Sequence, residues 1–450
     1  MSGLRVTVVG GGLAGLAAAL ECADAGAAVT LYDARARLGG ATFSIERNGY
    51  WLDNGQHVAL RCCTEYRAFL GRIGVEHLLS VQPRLRIPVL AEGGRRATLS
   101  RSAFPAPLHL VSTLLRYRHL SLRERLAAFR AAAALRGLDP TDARLDEQTF
   151  GRWLRAHGQS ERAVRVLWDL IALPTLNLHA DSASLMLAAK VFRTGLLDDA
   201  DACDVALPTV PLQQLHGDAA RAALEARGAK IVTSARVHAV EPADGELLVR
   251  VGDGTEHADA VVVAVPHQAV AELVPPGVVQ PAVAEGLGAS PIVNLHLQYD
   301  RRVVDEPFAA AVDSPVQWLF DRTDVAGLQD GQLISVSVSG AEDEIGDSQA
   351  DLRARYLPAF ERLLPRAREA TLLDFHVTRE PRATFKGVPG THSLRPPPST
   401  NVGGLYLAGA WTDTGWPATM EGAVRSGIAA SRALLAAPRV ARHEPVESLA

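Results

Sequence analysis

The chain has 450 residues, 48% hydrophobic and 21% charged, with a formal net charge of −4. That length supports two or three domains with sizeable cores, and the near-neutral balance gives no global basis for nucleic-acid binding. Cys22, Cys62, Cys63 and Cys203 offer no disulfide framework, because neighbours such as Cys62-Cys63 rarely pair, and no C-x-x-C or clustered His/Cys spacing points to a metal.

Arg5 to Val9 is a β-branched run suited to a buried parallel strand. Gly10, Gly12 and Gly15 follow at G-x-G-x-x-G spacing, with Leu13 and Ala14 inside it. Such glycines permit a tight turn, a close approach to a pyrophosphate and tight helix–strand packing. Leu16 to Asp24 reads as a helix whose free N–H groups face the phosphates, and Gly26 ends it. Ala28 to Tyr32 reads as a second strand, with Asp33 at its tip to accept ribose hydroxyls. A bare G-x-G-x-x-G is often only a glycine-rich turn. Set between strand and helix with an acid behind it, it predicts a dinucleotide site.

Asp53 reads as a residue that fixes its own loop. Val81 to Leu99 alternates apolar and polar residues and predicts a strand pair; Phe104 to Leu138 and Phe150 to Leu173 read as helical. Strands are predicted at Ile231-Val232, Val237 to Val240, Leu247 to Val251, Ala260 to Val265, Ile292 to Leu297 and Leu333 to Val338. Pro396-Pro397-Pro398 is a stiff connector to a last strand at Leu405. No second G-x-G-x-x-G follows a strand, so no separate nicotinamide domain is expected. The first strand starts within four residues of Met1, which predicts a cytoplasmic chain with reduced thiols.

Arg101 to Leu138 is the best segment for membrane contact. It holds seven arginines (101, 116, 118, 123, 125, 130, 136) against Glu124 alone, with Leu108, Leu110, Val111, Leu114 and Leu115 near Phe104-Pro105. It is too short of apolar residues to span a bilayer, but a basic amphipathic stretch can lie in the interface. The alternative is an ordinary core helix with a solvated arginine face.

Asp33-Ala34-Arg35-Ala36-Arg37-Leu38-Gly39-Gly40 resembles the extended fingerprint of FAD enzymes in the amine oxidase and carotenoid desaturase superfamily. So does the distal Gly409-Ala410-Trp411 with Pro417-Ala418-Thr419-Met420-Glu421-Gly422-Ala423. Tyr50-Trp51-Leu52-Asp53-Asn54-Gly55-Gln56-His57, Cys62-Cys63-Thr64 and the run Trp411 to Ala423 narrow the resemblance to squalene-associated FAD-dependent desaturases, the hydroxysqualene dehydroxylases. The similarity runs from about residue 4 to residue 435.

The resemblance implies an α/β fold of the glutathione reductase/amine oxidase type: a Rossmann-like FAD domain at 1–78, 205–270 and 397–437, an interleaved α+β substrate domain at 79–204 and 271–396, and a flexible tail at 438–450. It implies non-covalent FAD, since the distal segment has no cysteine. The cofactor would be held by Gly10, Gly12, Leu13, Ala14, Gly15, Asp33, Ala34, Arg35, Gly39, Gly40, Ala41, Thr42, Gln56 and His57, by the Val237 backbone at the adenine, and by Gly409, Ala410, Trp411, Pro417, Ala418, Thr419, Met420 and Ala423. Gln56, His57 and Trp416 would lie beside the isoalloxazine, with Gln56 and His57 the catalytic candidates. His57 is read either as a proton donor or as a structural partner, and Asp413 as a second acid or a turn former. Two departures stand out: Ala410 replaces a usual acid, for which Thr412 or backbone groups could compensate, and Ala41 replaces a frequent arginine. Three lysines (Lys190, Lys230, Lys386) against 43 arginines limit any mechanism needing a lysine beside the flavin.

The activity implied is reductive dehydroxylation of hydroxysqualene to squalene, with water loss and hydride transfer from reduced FAD. A hydrophobic polyprenyl substrate, a membrane surface and other squalene-pathway enzymes would be its partners, with no nucleic acid and no metal. A carotenoid-type desaturase, an amine oxidase and a non-catalytic prenyl-chain carrier remain open alternatives.

Overall fold

The computed structural model describes residues 3–437; the tail expected at 438–450 lies outside the described residues. A five-stranded parallel sheet has the order Lys230–Val232, Ala28–Tyr32, Arg5–Val9, Ala260–Val263, Leu405–Leu407. Its central strands read as unbroken apolar runs because both faces are covered. Val6, Val8 and Val262 pack toward the helices Leu13–Asp24 and Met420–Ala436, while Val261 and Val263 join Val240, Leu247 and Val249 of an antiparallel meander. The first helix begins at Leu13, three residues before the expected start at Leu16, because Gly12 serves as its N-cap.

The two chain ends meet where these helices cross. A Cβ on Gly427 would stand 2.1 Å from the Ala14 carbonyl oxygen, so only glycine allows that approach. Glu421, fully buried in the first turn of the C-terminal helix, accepts the Glu65 and Tyr66 amides at 3.2 and 2.8 Å and the Arg425 Nε–H at 2.7 Å. It thereby ties the helix Thr64–Arg72 to the chain's other end.

A seven-stranded sheet forms the other half, in the order Leu372–Thr384, Ser290–Tyr299, Gln332–Ser339, Trp318–Asp321, Phe308–Val312, Arg86–Ala91, Arg95–Ser100. Its pairs are antiparallel except Phe308–Val312 against Arg86–Ala91. The sequence pattern misses Phe308–Val312, Trp318–Asp321 and Leu372–Thr384. The first is alanine-rich, the second has four residues, and the third is an edge strand whose charges and Pro381 are tolerated only because one side is unpaired.

A helical layer completes this half, chiefly Val111–Arg116, Leu122–Arg136, Phe150–Ala156, Asp169–Leu176 and Leu185–Phe192. Its core is aromatic: Phe150, Trp168 and Phe192 lie with ring centroids 5.3–5.8 Å apart.

Candidate functional site

The glycine loop divides its labour. Gly10 (φ +106°) and Gly15 are required by packing, since a Cβ would come within 2.4 Å of Ala264 O and 1.9 Å of Gly10 O respectively. Gly12 is different. A Cβ there would meet only the Gly40 Cα, at 3.7 Å, so its missing side chain leaves open space at the start of the Leu13–Asp24 helix. That helix has no side-chain cap, and its first-turn amides are left for an anion at that opening.

The second glycine pair closes onto the first. Gly39 N–H donates to Gly11 O at 2.8 Å, and the Thr42 hydroxyl donates to Gly39 O at 2.8 Å. Arg35 and Arg37 both donate to the Gly40 carbonyl at 3.1 Å, while Ala34 and Ala41 stand exposed beside it. Asp33 does more than await a ribose: its carboxylate accepts the Gly11 and Arg35 amides, each at 2.7 Å. Its lone pairs are not exhausted by two bonds, but its first task is to shape the loop. The Asp33 carbonyl also accepts Ala235 N–H at 2.9 Å, which brings Val237, at the head of the meander, to this end of the cradle.

The distal segment forms a second wall. Gly409 adopts φ +141°, and its amide donates to Ser426 Oγ at 2.8 Å. The Trp411 side chain is committed elsewhere, its indole N–H donating to Val265 O at 2.9 Å. Thr412, near Ala410, donates its hydroxyl proton to Gly409 O at 2.9 Å and keeps its oxygen as an acceptor. The segment is held by Arg395, buried at 5% exposure. Its guanidinium donates to the carbonyls of Thr412 (2.6 Å) and Ala410 (3.2 Å), and burial pushes it down to about 10. Thr419 caps the helix Met420–Ala436 by accepting Gly422 N–H at 3.1 Å, so Pro417, Ala418, Met420 and Ala423 cluster at its entrance.

Residues Asn54 to His57 form the third wall. Asn54 donates to Ala41 O and Glu380 Oε1, both at 2.9 Å, which fixes this loop against Gly40-Ala41. His57 Nδ1 lies 3.1 Å from Gly55 O, so that nitrogen carries the proton and Nε2 offers a lone pair. Burial lowers the His57 pKa, which keeps the ring neutral. Asp53 reaches well beyond its own loop. It accepts Ser44 Oγ–H (2.6 Å), Leu212 N–H (3.0 Å) and Arg322 Nη2–H (2.8 Å), joining three separate segments in a buried ion pair.

Several residues here escape sequence reasoning. His216, fully buried, is paired with the Tyr66 hydroxyl at 2.8 Å and is driven down to about 3 by burial, with His57 adding to the shift. Asn294, on a strand of the large sheet, donates to Asn54 O at 3.1 Å. Lys190 sits over the Trp416 ring at 4.9 Å, so a lysine does lie beside the distal flavin segment. The only signal for His216 is its place in a π-helical turn, Gln213–Asp218, invisible to periodicity.

Five buried polar atoms around these walls lack partners among the described residues: Gln56 Nε2, Gln213 Oε1, His216 Nδ1, Asn294 Oδ1 and Arg395 Nη1. Unpaired buried polar atoms call for a ligand or ordered water. Together with the opening at Gly12, they fit a flavin dinucleotide laid from Asp33 past Gly12 toward Gln56 and Trp416. Among the described residues, no group of three or more His, Cys, Asp or Glu could hold a metal.

Comparison with known proteins agrees with this geometry. The chain is 30% identical to a hydroxysqualene dehydroxylase of Rhodopseudomonas palustris, over 96% of this chain and 99% of that one. It is 25% identical to a zeta-carotene desaturase of Synechocystis, over 96% and 97%. Wild-type putrescine oxidase bound to putrescine superposes with a TM-score of 0.68 at 21% identity, covering 96% of this chain and all of that one, which shows the fold. The model of the flavin-containing amine oxidoreductase family matches residues 13–435. The chain belongs to that family, and it is a flavin-dependent oxidoreductase of the hydroxysqualene dehydroxylase and carotenoid desaturase branch.

Proposed function

We propose that the chain binds FAD non-covalently and reduces hydroxysqualene to squalene. The observation that carries this reading is the end-to-end similarity to three hydroxysqualene dehydroxylases. The site is compatible with an apolar substrate, because burial lowers the pKa values of His57 and His216 and keeps both rings neutral. Reduced FAD, when bound, supplies the hydride. The balance is hydroxysqualene plus hydride plus one proton, giving squalene plus water; the allylic C–O bond breaks and a C–H bond forms at the same allyl system.

The chain's residues hold and shield. His57 presents an acceptor at Nε2, so its part is to take the substrate O–H in a hydrogen bond and orient the leaving oxygen; the proton consumed comes from solvent. Gln56 offers its unpaired Nε2–H beside it. Once the leaving oxygen is protonated, exclusion of further water protects the electron-poor carbon from recapture.

The test is mass analysis of products from hydroxysqualene with photoreduced, FAD-loaded protein under anaerobic conditions. Squalene is expected. Unchanged hydroxysqualene with flavin retained overturns the reading. Desaturation of phytoene by the oxidised protein would instead favour the carotenoid desaturase reading, which similarity to zeta-carotene and phytoene desaturases supports.

A further inference from the structure

Five of the eight large apolar side chains exposed among the described residues fall between residues 104 and 126: Phe104, Leu108, Leu115, Leu122 and Leu126. They form one face. The Phe104 loop is folded onto the turn Leu108–Leu110 by Ser102 N–H to His109 O (2.8 Å) and His109 N–H to Pro105 O (3.2 Å). That turn runs into the helix Val111–Arg116. Arg125 of the next helix, Leu122–Arg136, donates to Leu115 O at 2.7 Å and so fixes the two helices side by side. Leu122 and Leu126, four apart, share one stripe of the second helix. The reverse side is anchored, with Tyr117, Ala128, Ala131 and Leu135 buried to 1% exposure or less. The outward leucines are therefore a built surface on a well-packed support, which marks an interaction site.

The arginines sort into two groups. Arg101 is sunk against Asp204 at 2.6 Å, Arg125 caps the Leu115 and Leu120 carbonyls, and Arg136 lies 3.9 Å from Asp198. Arg116, Arg118, Arg123 and Arg130 are exposed and lack a carboxylate partner among the described residues. Arg116 and Arg118 also line a cleft of about 290 Å³ together with Arg96 and Ser100 of the strand Arg95–Ser100 and with Ser112. Arg96 is shared with Glu306 at 3.0 Å. Guanidinium groups with hydroxyls at one cleft are phosphate-recognition chemistry.

We infer that this face docks on an anionic phospholipid bilayer, with the five apolar side chains entering the acyl boundary and the Arg96–Arg116–Arg118 cleft holding a lipid phosphate. Charge complementarity selects this occupant, since an apolar knob ringed by unpaired arginines matches an anionic interface. The inference stands apart from the proposed reaction.

The test is co-sedimentation of the flavin-loaded full chain with phosphatidylcholine vesicles, with and without phosphatidylglycerol. Binding is expected only with phosphatidylglycerol and is weakened by salt. Arg116→Gln/Arg118→Gln should lower partitioning roughly 30-fold, from the contribution of each surface arginine at an anionic leaflet. Leu122→Ser/Leu126→Ser should lower it by a further tenfold or more, from lost apolar burial. Both variants alter exposed side chains, so flavin content and unfolding temperature should match wild type; if the leucine variant misfolds, the arginine pair decides alone. Wild-type protein that stays in the supernatant overturns the inference, as does an arginine variant with wild-type partitioning and salt dependence. Binding of inorganic phosphate without vesicle binding would make the cleft a soluble-phosphate site and likewise overturn it.

Discussion

Replacing Arg322 by Met should destabilise the protein and loosen its hold on flavin together. The Arg322 and Asp53 side chains are 8% and 5% exposed and meet at 2.8 Å. Removing one partner of a buried pair strands the other charge, at a cost of about 3–5 kcal/mol. Ser44 and Leu212 N–H still serve the Asp53 carboxylate, which places the expectation at the lower end. With roughly 2.1 cal/mol/K per residue over the 450-residue chain, the unfolding temperature should fall by about 3 °C if the halves unfold together. The neutral pair Asp53→Asn/Arg322→Met should recover much of that loss, because no charge is left buried. Asp53 precedes the Asn54–His57 wall, so the single variant should also bind FAD more weakly. The assays are thermal unfolding by circular dichroism and FAD titration by flavin fluorescence. An Arg322→Met variant within 1 °C of wild type, or a double variant worse than the single one, would refute the reasoning.

Gly12→Val should fold yet purify without flavin, whereas Gly15→Ala should fail to fold, since its Cβ would sit 1.9 Å from Gly10 O; flavin absorbance and unfolding curves separate the two. Full flavin content in Gly12→Val would move the pyrophosphate elsewhere. Asp33→Ala should weaken FAD and also lower stability by about 1–3 kcal/mol, because it frees the Gly11 and Arg35 amides; a variant of wild-type stability would show that the loop is shaped without it. His296, buried and driven down to about 3, should make stability fall with acidity. Its folded-state pKa lies below the unfolded value of about 6.5, so the contribution is complete above that pH and is lost as pH drops toward 3, roughly 2 kcal/mol by pH 5. His296→Gln should flatten that acid limb in urea titrations from pH 7 to pH 5, and an unchanged slope would count against the assignment.

Local chemistry made the nucleotide half legible. Gly10, Gly12, Gly15 and Asp33 are close in sequence, and each answers a constraint imposed within one strand–turn–helix unit, so spacing alone exposes the site. The distal segment was equally readable, because Gly409 and the run to Ala423 form another short unit. The helix face at 104–126 was visible as composition, but composition counted Arg101, Arg125 and Arg136 among its charges. Only packing shows that Asp204, two backbone carbonyls and Asp198 take them up.

What tertiary structure alone decided are the contacts between residues hundreds of positions apart. Asp53 meets Arg322, and Asn54 meets Glu380 and Asn294. His57 passes from possible acid to neutral acceptor through the Gly55 carbonyl and its burial. No periodicity encodes such pairs, because the partner's approach is set by how two sheets and a helical layer close on one another. The sequence by itself determined which cofactor class the ends can hold; the closure of the two halves determined which side chains face it, because burial and hydrogen bonding, not residue type, fix the charge and direction of each group.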